Sequence, residues 1–200
     1  MIDIKSISFF RGSHQIYQEF SAQLRVGEAV LLTGPNGAGK STLIQLIGGL
    51  LKPRSGTIEI DGLNLAGLSA KAQAELRSVA PQRRSFTLAF TVRQILEFVP
   101  KKLRIAENSS LIFQLGLTDL LDKKVTELSI GQQERVSLAL ALSQQAKYYL
   151  LDEPFSAQDS GSISRILEII TELKKEKGVL VISHNQDAIL KYFDRVISLA

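Results

Sequence analysis

The feature that most constrains this chain is a glycine-rich segment placed between an apolar run and a predicted helix. The segment reads Gly34-Pro35-Asn36-Gly37-Ala38-Gly39-Lys40-Ser41 and has the spacing GxxxxGK[ST]. It follows Glu28 to Thr33, whose apolar residues are continuous, as expected of a parallel strand buried on both faces. A helix is predicted from Ser41 to Leu51, with Pro53 ending it. The order strand, loop, helix is the context that a phosphate-binding loop requires.

This loop has the chemistry needed to hold nucleotide phosphates. Glycines let the backbone curl round the phosphates, and amides at the helix N-terminus point at their oxygens, where the helix dipole favours negative charge. We expect Lys40 to reach the β- and γ-phosphates and Ser41 to ligate Mg²⁺. A glycine-rich turn that matches by chance is the alternative, and the strand and helix context disfavours it. The predicted nucleotide-binding residues are Gly34, Pro35, Asn36, Gly37, Ala38, Gly39, Lys40, Ser41 and Thr42.

A second motif supplies two carboxylates. The apolar run Tyr148 to Leu151 is followed by Asp152, Glu153 and Pro154. Ligands of open α/β sheets bind at the C-terminal ends of the strands, which is where this run would deliver the two acids. We expect Asp152 to support the Mg²⁺ shell and Glu153 to orient or deprotonate a water that attacks the γ-phosphate. Adjacent acids on a loop are usually only solvated, but the preceding apolar run favours the functional interpretation.

The pattern of predicted elements indicates an α/β fold. Strands and helices alternate at both ends of the chain and enclose a mostly helical middle from Thr91 to about Lys124, so we predict a parallel α/β core with an inserted helical lobe. The 200 residues suit one domain, with the core at about 1–82 and 145–200 and the helical subdomain at about 83–144. The other predicted elements are short strands in the first thirty residues, a strand at 57–60, a helical stretch to about Ser78, helices at 132–145 and 163–173, and strands at 179–182 and 196–199.

Composition excludes several classes of function. The chain has no cysteine, and therefore no disulfide framework, thiolate catalysis or cysteine-ligated metal. Its formal net charge of +4 comes from scattered residues without interleaved aromatics, so no nucleic-acid partner is expected. No segment approaches the roughly 20 apolar residues of a membrane-spanning helix. We therefore expect a soluble chain whose membrane work, if any, is done through a partner.

A third motif connects these observations to a known family. Leu128-Ser129-Ile130-Gly131-Gln132 resembles the signature sequence LSGGQ of ABC transporter nucleotide-binding domains. The resemblance extends over nearly the whole chain, because other motifs follow in the family's order: Gln82 matches the Q-loop glutamine, Ser156-Ala157-Gln158-Asp159 the D-loop, and His184 the switch histidine. The signature also has a physical rationale, since Ser129 can cap a helix whose N-terminal amides form a second anion site.

The resemblance implies a P-loop NTPase with a RecA-like parallel-sheet core, a small N-terminal antiparallel β subdomain and an inserted helical subdomain. It implies ATP and Mg²⁺ as cofactors, with Gln82 and His184 acting in catalysis beside Glu153 and with Ser41, Gln82 and Asp152 at the metal. In the family, two ATP molecules are sandwiched in a head-to-tail dimer, so the signature and D-loop of one subunit meet the ATP of the other. The residues implied for that contact are Ser129, Gly131, Gln132 and Asp159.

The implied partners are an integral-membrane permease and a second ATPase subunit, either a second copy or a paralogue. The implied location is the cytoplasm, peripheral on the cytoplasmic face of the inner membrane. The stretch from Leu68 to Gln82 resembles ATPases of metal-chelate importers for haem, siderophores or cobalamin. The haem-exporter ATPase of cytochrome c maturation is the alternative, and a non-transport ABC ATPase is another. A regulator without turnover is disfavoured by the intact Lys40, Asp152, Glu153 and His184.

Several positions depart from the family pattern. Arg11 stands where an aromatic residue normally stacks on adenine, so either its guanidinium or the neighbouring Phe10 is expected to cover the base. Ile130 replaces a signature glycine, and Leu140 stands where arginine is common. The chain ends soon after its last predicted strand, so no C-terminal regulatory domain is expected.

Overall fold

The fold was analysed on a computed structural model that describes residues 1–82, 86–98, 109–184 and 188–199. Nine strands lie in these ranges: β1 (Ile2–Arg11), β2 (His14–Leu24), β3 (Ala29–Thr33), β4 (Ser55–Ile60), β5 (Leu63–Asn64), β6 (Arg77–Ala80), β7 (Tyr148–Asp152), β8 (Gly178–Ile182) and β9 (Arg195–Ser198). Six α-helices accompany them: α1 (Lys40–Ile47), α2 (Ala70–Leu76), α3 (Val92–Glu97), α4 (Ser110–Gln114), α5 (Ile130–Leu142) and α6 (Ser160–Leu173).

The N-terminal part of the chain forms an antiparallel sheet with the strand order β2-β1-β4-β5. The prediction of a small antiparallel β subdomain is therefore confirmed, but the prediction of short strands is wrong. β1 and β2 are 10 and 11 residues long, and they meet at a turn at Gly12 and Ser13. Register shifts along β1 interrupt the alternation of apolar residues while the chain stays in the sheet, so the sequence reads as shorter strands.

The second sheet is parallel and has the order β6-β7-β8-β3-β9. It confirms the predicted parallel core. Every residue of β3, β7 and β8 is buried, which explains their continuous apolar sequences. Successive residues point to opposite faces, so Leu31 joins the apolar cluster under the later helices, and Leu32 joins the cluster shared with α1 and the antiparallel sheet. This central sheet fixes the ends of four functional segments at one edge.

The helix α1 ends earlier than predicted. It runs from Lys40 to Ile47 and not to Leu51, because Gly48 and Gly49 terminate it before Pro53 is reached. Gly49 has a φ of +68°, a left-handed conformation that favours glycine after a helix. The amides of Leu50 and Leu51 then turn back to the carbonyl of Gln45, and Leu50 is left 74% exposed. Leu50 therefore does not belong to the buried face of α1.

The helical middle of the chain lies between β6 and β7. α2 ends at Leu76 and β6 begins at the next residue, so the predicted helical stretch to Ser78 is two residues too long. The described part of the region from Thr91 to Lys124 contains α3, α4 and a short 3₁₀ turn, and α3 begins with a capping box formed by Thr91 and Gln94. Residues 83–85 and 99–108 of the predicted helical subdomain lie outside the described ranges, and its bounds stay a prediction.

None of the helices in the described ranges combines the length and apolar character that crossing a bilayer requires.

Candidate functional site

The predicted functional residues lie at one edge of the parallel sheet, because four neighbouring strands end there. β3 leads into the glycine-rich loop, β6 leads to Gln82, β7 to Asp152 and Glu153, and β8 to His184. A cleft of about 270 Å³ opens between them. Its lining consists of Arg11, Ile16, Asn36, Gly37, Gly39, Lys40, Ser41, Thr42, Gln82, Glu153, Ile182 and His184.

The glycine-rich loop adopts a backbone conformation that its glycines make accessible. Gly34, Gly37 and Gly39 have φ angles of +143°, +86° and +97°, all in the region that L side chains rarely adopt. Gly39 stands at the N-cap of α1, so no side chain competes there for the first amides of the helix. The loop thus presents a helix N-terminus to the cleft, as an anion site requires.

Lys40 is buried and lies across this loop. Its Nζ donates hydrogen bonds to the carbonyls of Gly34 at 2.7 Å and Pro35 at 2.9 Å. These carbonyls hold the ammonium group at the mouth of the loop, where it adds positive charge to the helix end. The position agrees with the predicted contact to the outer phosphates.

The antiparallel sheet packs against the glycine-rich loop at Gly39. The sequence did not predict this contact. The hydroxyl of Tyr17 donates to the carbonyl of Gly39 at 2.8 Å, and burial raises the pKa of this tyrosine well above its ordinary value. A Cβ added to Gly39 would meet Ile16 Cγ2 at 2.6 Å and the Tyr17 hydroxyl at 2.9 Å. Ile16 and Tyr17 belong to β2, and Tyr17 lies 22 residues before Gly39 in sequence, so no local motif signals them.

Asp152 and Glu153 are both buried carboxylates, each 7% exposed. Asp152 Oδ1 accepts no hydrogen bond from the residues that the structure describes, whereas Glu153 Oε1 has His184 Nε2 as its neighbour. Burial raises the pKa of Asp152, against the opposing effects of the Ser41 hydroxyl, Lys40 and His184. Burial also raises the pKa of Glu153, with His184 opposing and Asp152 adding to the rise. Buried acids with unmatched oxygens are suited to binding a cation or activating water.

His184 faces the second carboxylate. Its Nε2 lies 3.0 Å from Glu153 Oε1, an ion pair only when the imidazole is protonated. The imidazole is about half exposed to the cleft. Glu153 has a φ of +55°, so the chain turns sharply at the end of β7 and brings this carboxylate to the histidine.

The donor set fits a magnesium ion. Mg²⁺ takes oxygen ligands and retains several waters, so it needs few from the protein. Asp152 has its unmatched buried oxygen, and the Ser41 hydroxyl lies close enough to stabilise the ionised carboxylate. Ser41 and Gln82 both line the cleft, and Asp152 lies beside Ser41.

The signature segment forms a separate site. Gln132 N donates to Ser129 Oγ at 3.3 Å, and Ser129 N donates to Gln132 Oε1 at 2.9 Å, which is the predicted capping box at the start of α5. Ser129 is exposed, and Ile130, the residue in place of glycine, is 66% exposed. None of the predicted signature residues lines the cleft of their own chain. The signature helix is therefore free to meet a surface from another subunit.

Asp159 has a structural role within the chain. Its Oδ1 accepts from Ser162 N at 2.8 Å and its Oδ2 from Ser162 Oγ at 3.0 Å, so it caps α6. These bonds hold the pKa of Asp159 below its ordinary value. The predicted contact with a nucleotide on another subunit stays a prediction.

Arg11 and Phe10 are the two residues expected to stack on the adenine base, and the structure places them differently. Arg11 lines the cleft. The ring of Phe10 instead lies under the guanidinium of Arg54, and Arg54 Cζ is 4.9 Å from the ring centroid. Phe10 is thus already paired, and this arrangement favours Arg11, with Ile16 beside it, as the group that meets a base.

Comparisons with known proteins agree with this geometry. A family profile described as ABC transporter matches residues 17–156, more than half of the chain. The cobalamin import ATP-binding protein BtuD of Halobacterium salinarum is 32% identical over 209 residues, with 100% of this chain and 52% of that protein covered. The chain thus spans about half the length of that relative.

Two further relatives cover most of their own length. The hemin import ATP-binding protein HmuV of Bordetella avium is 34% identical over 215 residues, with 100% of this chain and 82% of that protein covered. A solved structure titled as the ATP binding subunit of an ABC transporter is 26% identical, with a TM-score of 0.89 over 100% of this chain and 85% of its own. The chain belongs to the ABC transporter family, as a member of its ATP-binding ATPase domains.

Proposed function

We propose that this protein is the ATP-hydrolysing subunit of an ABC transporter and couples hydrolysis to substrate movement through a separate membrane permease. The observation that carries the proposal is the cleft in which the glycine-rich loop, Glu153 and His184 meet, with Asp152 directly before Glu153. The glycine-rich loop alone would only bind nucleotide. The buried carboxylate of Glu153 in the same cleft supplies a general base for hydrolysis.

The chemistry is assigned to residues in the cleft. The loop amides and Lys40 hold the phosphates, and Ser41 and Asp152, with Gln82 nearby, hold Mg²⁺, which neutralises developing charge on the transferred phosphoryl group when bound. Glu153 is the general base for the attacking water, because its raised pKa makes it a stronger base than an exposed glutamate. His184 lies within reach of both Glu153 and the cleft, where it orients the reacting groups.

A complete site requires two subunits. The signature residues Ser129, Gly131 and Gln132 lie outside the cleft of their own chain, while the exposed N-terminus of α5 offers a second anion site. We infer a head-to-tail dimer in which each α5 closes on the ATP of the other subunit. The second subunit is another copy of the chain or a paralogous ATPase.

The permease is expected to contact the region that follows Gln82. Leu88 and Phe98 in this region are 62% and 68% exposed, and Phe98 packs edge-on against Phe90 with 5.0 Å between ring centroids. Exposed apolar side chains of this size mark surfaces for protein contact. We place the protein in the cytoplasm, on the inner face of the membrane that holds the permease.

The cargo is proposed to be a metal chelate. The names of the relatives support import of cobalamin or hemin, and a manganese transport relative from Bacillus subtilis is 33% identical over 211 residues. This subunit does not touch the cargo, so a test needs the permease: co-purification of the chain from its membrane should recover a permease of that class.

ATP hydrolysis is tested with Glu153→Gln. Removing a general base costs about 10²- to 10⁴-fold in rate, so we expect a loss of at least 100-fold in kcat. Glu168→Gln, on the exposed face of α6, is the matched control and should keep the wild-type rate. Equal rates for Glu153→Gln and wild type would refute the role of Glu153.

A further inference from the structure

A set of side-chain hydrogen bonds joins the signature helix to the segment that follows Glu153. We call Glu134, Ser156 and Gln158 the latch. Ser156 Oγ donates to Glu134 Oε1 at 2.9 Å, and Gln158 Nε2 donates to Glu134 Oε2 at 3.3 Å. Gln158 Nε2 also lies 2.9 Å from the carbonyl of Gly131, to which it donates. The carboxylate of Glu134 thus bridges two side chains of one turn.

Backbone contacts bring the two segments together at the same place. A Cβ added to Gly131 would lie 2.3 Å from the carbonyl oxygen of Ala157, so only glycine permits this approach. Ala157 has a φ of +52°, a conformation that residues with a side chain rarely adopt. The turn is therefore held by its contacts with α5, because its backbone does not favour this shape by itself.

The latch leads directly to the catalytic carboxylate. Ser156 N donates to the carbonyl of Glu153 at 3.1 Å, and Glu153 N donates to the carbonyl of Ile182 at 3.1 Å. Glu134 lies on α5, about one turn after the capped end at Ser129. One path of hydrogen bonds thus connects the N-terminus of α5 with the backbone of Glu153. The helix end is the part proposed to meet the nucleotide of the partner subunit, and Glu153 is the proposed general base.

We propose that Glu134 and Gln158 are positioning residues that couple the signature helix to Glu153. This inference rests on the proposed function, because it assigns them an effect on ATP hydrolysis. When α5 docks on the nucleotide of the partner subunit, the latch holds the turn at 156–158 against it and keeps Glu153 in its reactive orientation. Neither residue touches the nucleotide of its own chain, so the effect is on turnover and not on ATP binding.

Reversing the polarity of the pair tests the coupling. Glu134→Lys places an ammonium donor opposite the amide donor of Gln158, and Gln158→Glu places a carboxylate opposite that of Glu134. Contacting residues couple strongly enough that each change should lower kcat about ten-fold. The KM for ATP should change less than about two-fold, because the glycine-rich loop and Lys40 are untouched.

The double variant Glu134→Lys with Gln158→Glu restores one donor facing one acceptor and should recover at least about half of the lost rate on a logarithmic scale. The bond to the Gly131 carbonyl is absent in that variant, so recovery is incomplete. Glu168→Gln is again the matched control. Thermal unfolding of all four variants is measured in parallel, because a purely structural role would move the melting temperature without a specific loss of kcat.

The outcomes separate this inference from the proposed function. Single variants that keep wild-type kcat, or losses that add in the double variant, would overturn the coupling while leaving ATP hydrolysis established. A lowered melting temperature with unchanged kcat would overturn it in the same way. A wild-type chain that does not hydrolyse ATP would overturn both.

Discussion

The contact between Gly39 and β2 leads to a prediction with a built-in comparison. Gly39→Ala forces a side chain into a φ of +97° and places its Cβ 2.6 Å from Ile16 Cγ2. The left-handed backbone costs about 1–2 kcal/mol, and overpacking costs about 1–3 kcal/mol more. We therefore expect the free energy of unfolding to fall by about 2–5 kcal/mol.

Two other glycines separate these contributions. Gly27 and Gly37 have φ angles of +88° and +86°, and a Cβ at either position would meet nothing within 4 Å. Gly27→Ala and Gly37→Ala should therefore cost only the backbone strain, about 1–2 kcal/mol each. Gly27 does not line the cleft, so its variant should bind nucleotide with the wild-type affinity.

The assays are urea denaturation and titration with a fluorescent ATP analogue. Gly39→Ala should bind the analogue at least about ten-fold more weakly, because a shift of the loop misdirects the amides that hold the phosphates. Adding Ile16→Ala removes the clashing methyl group and should recover part of the affinity. If Gly39→Ala matched Gly27→Ala in both stability and affinity, the close packing of the loop on β2 would have no energetic consequence.

Three further predictions concern the pH dependence of kcat, the contact of Asp61 with Lys147 between the two sheets, and the signature serine Ser129. Burial raises the pKa of Glu153, and Glu153 must be ionised to act as a base. The fall of kcat at acid pH should therefore begin above the ordinary pKa range of glutamate. This fall should be absent from the residual rate of Glu153→Gln. Burial disfavours the charge of Asp61, but Lys147 at 2.7 Å, the Met1 ammonium group and the Tyr148 hydroxyl together outweigh it and lower the pKa to about 2. Stability from this group is thus lost as pH falls from 3.8 towards 2, and Asp61→Asn should cost about 1 kcal/mol at neutral pH by urea denaturation. Ser129→Ala removes a cap worth about 0.5–2 kcal/mol and should weaken ATP-dependent dimerisation in sedimentation experiments, whereas undiminished dimerisation would contradict the two-subunit site.

Local motifs determined how much of the site could be predicted. The glycine-rich loop and the acids after β7 were predictable because each requires only a buried strand and the residues directly after it. The capping box at Ser129 was predictable for the same reason, since its two partners are three residues apart.

Contacts between distant segments could not be predicted in this way. Tyr17 reaches Gly39 only because two sheets pack together, and Glu134 meets Gln158 only because α5 lies beside the turn after β7. The end of α1 was within reach of the sequence, because Gly48 and Gly49 are adjacent helix-ending signals. Pro53 does not mark the end of α1, because a proline prevents a helix from continuing and does not require it to extend that far.

The strand order has a consequence for synthesis of the protein on the ribosome. β3, which carries the glycine-rich loop, pairs only with β8 and β9 in the described sheet, and both come from the last quarter of the chain. A nascent polypeptide that stops before Gly178 therefore leaves both edges of β3 without neighbours, however much of the helical region has emerged. Premature termination therefore yields a product with two unprotected strand edges, which invite aggregation.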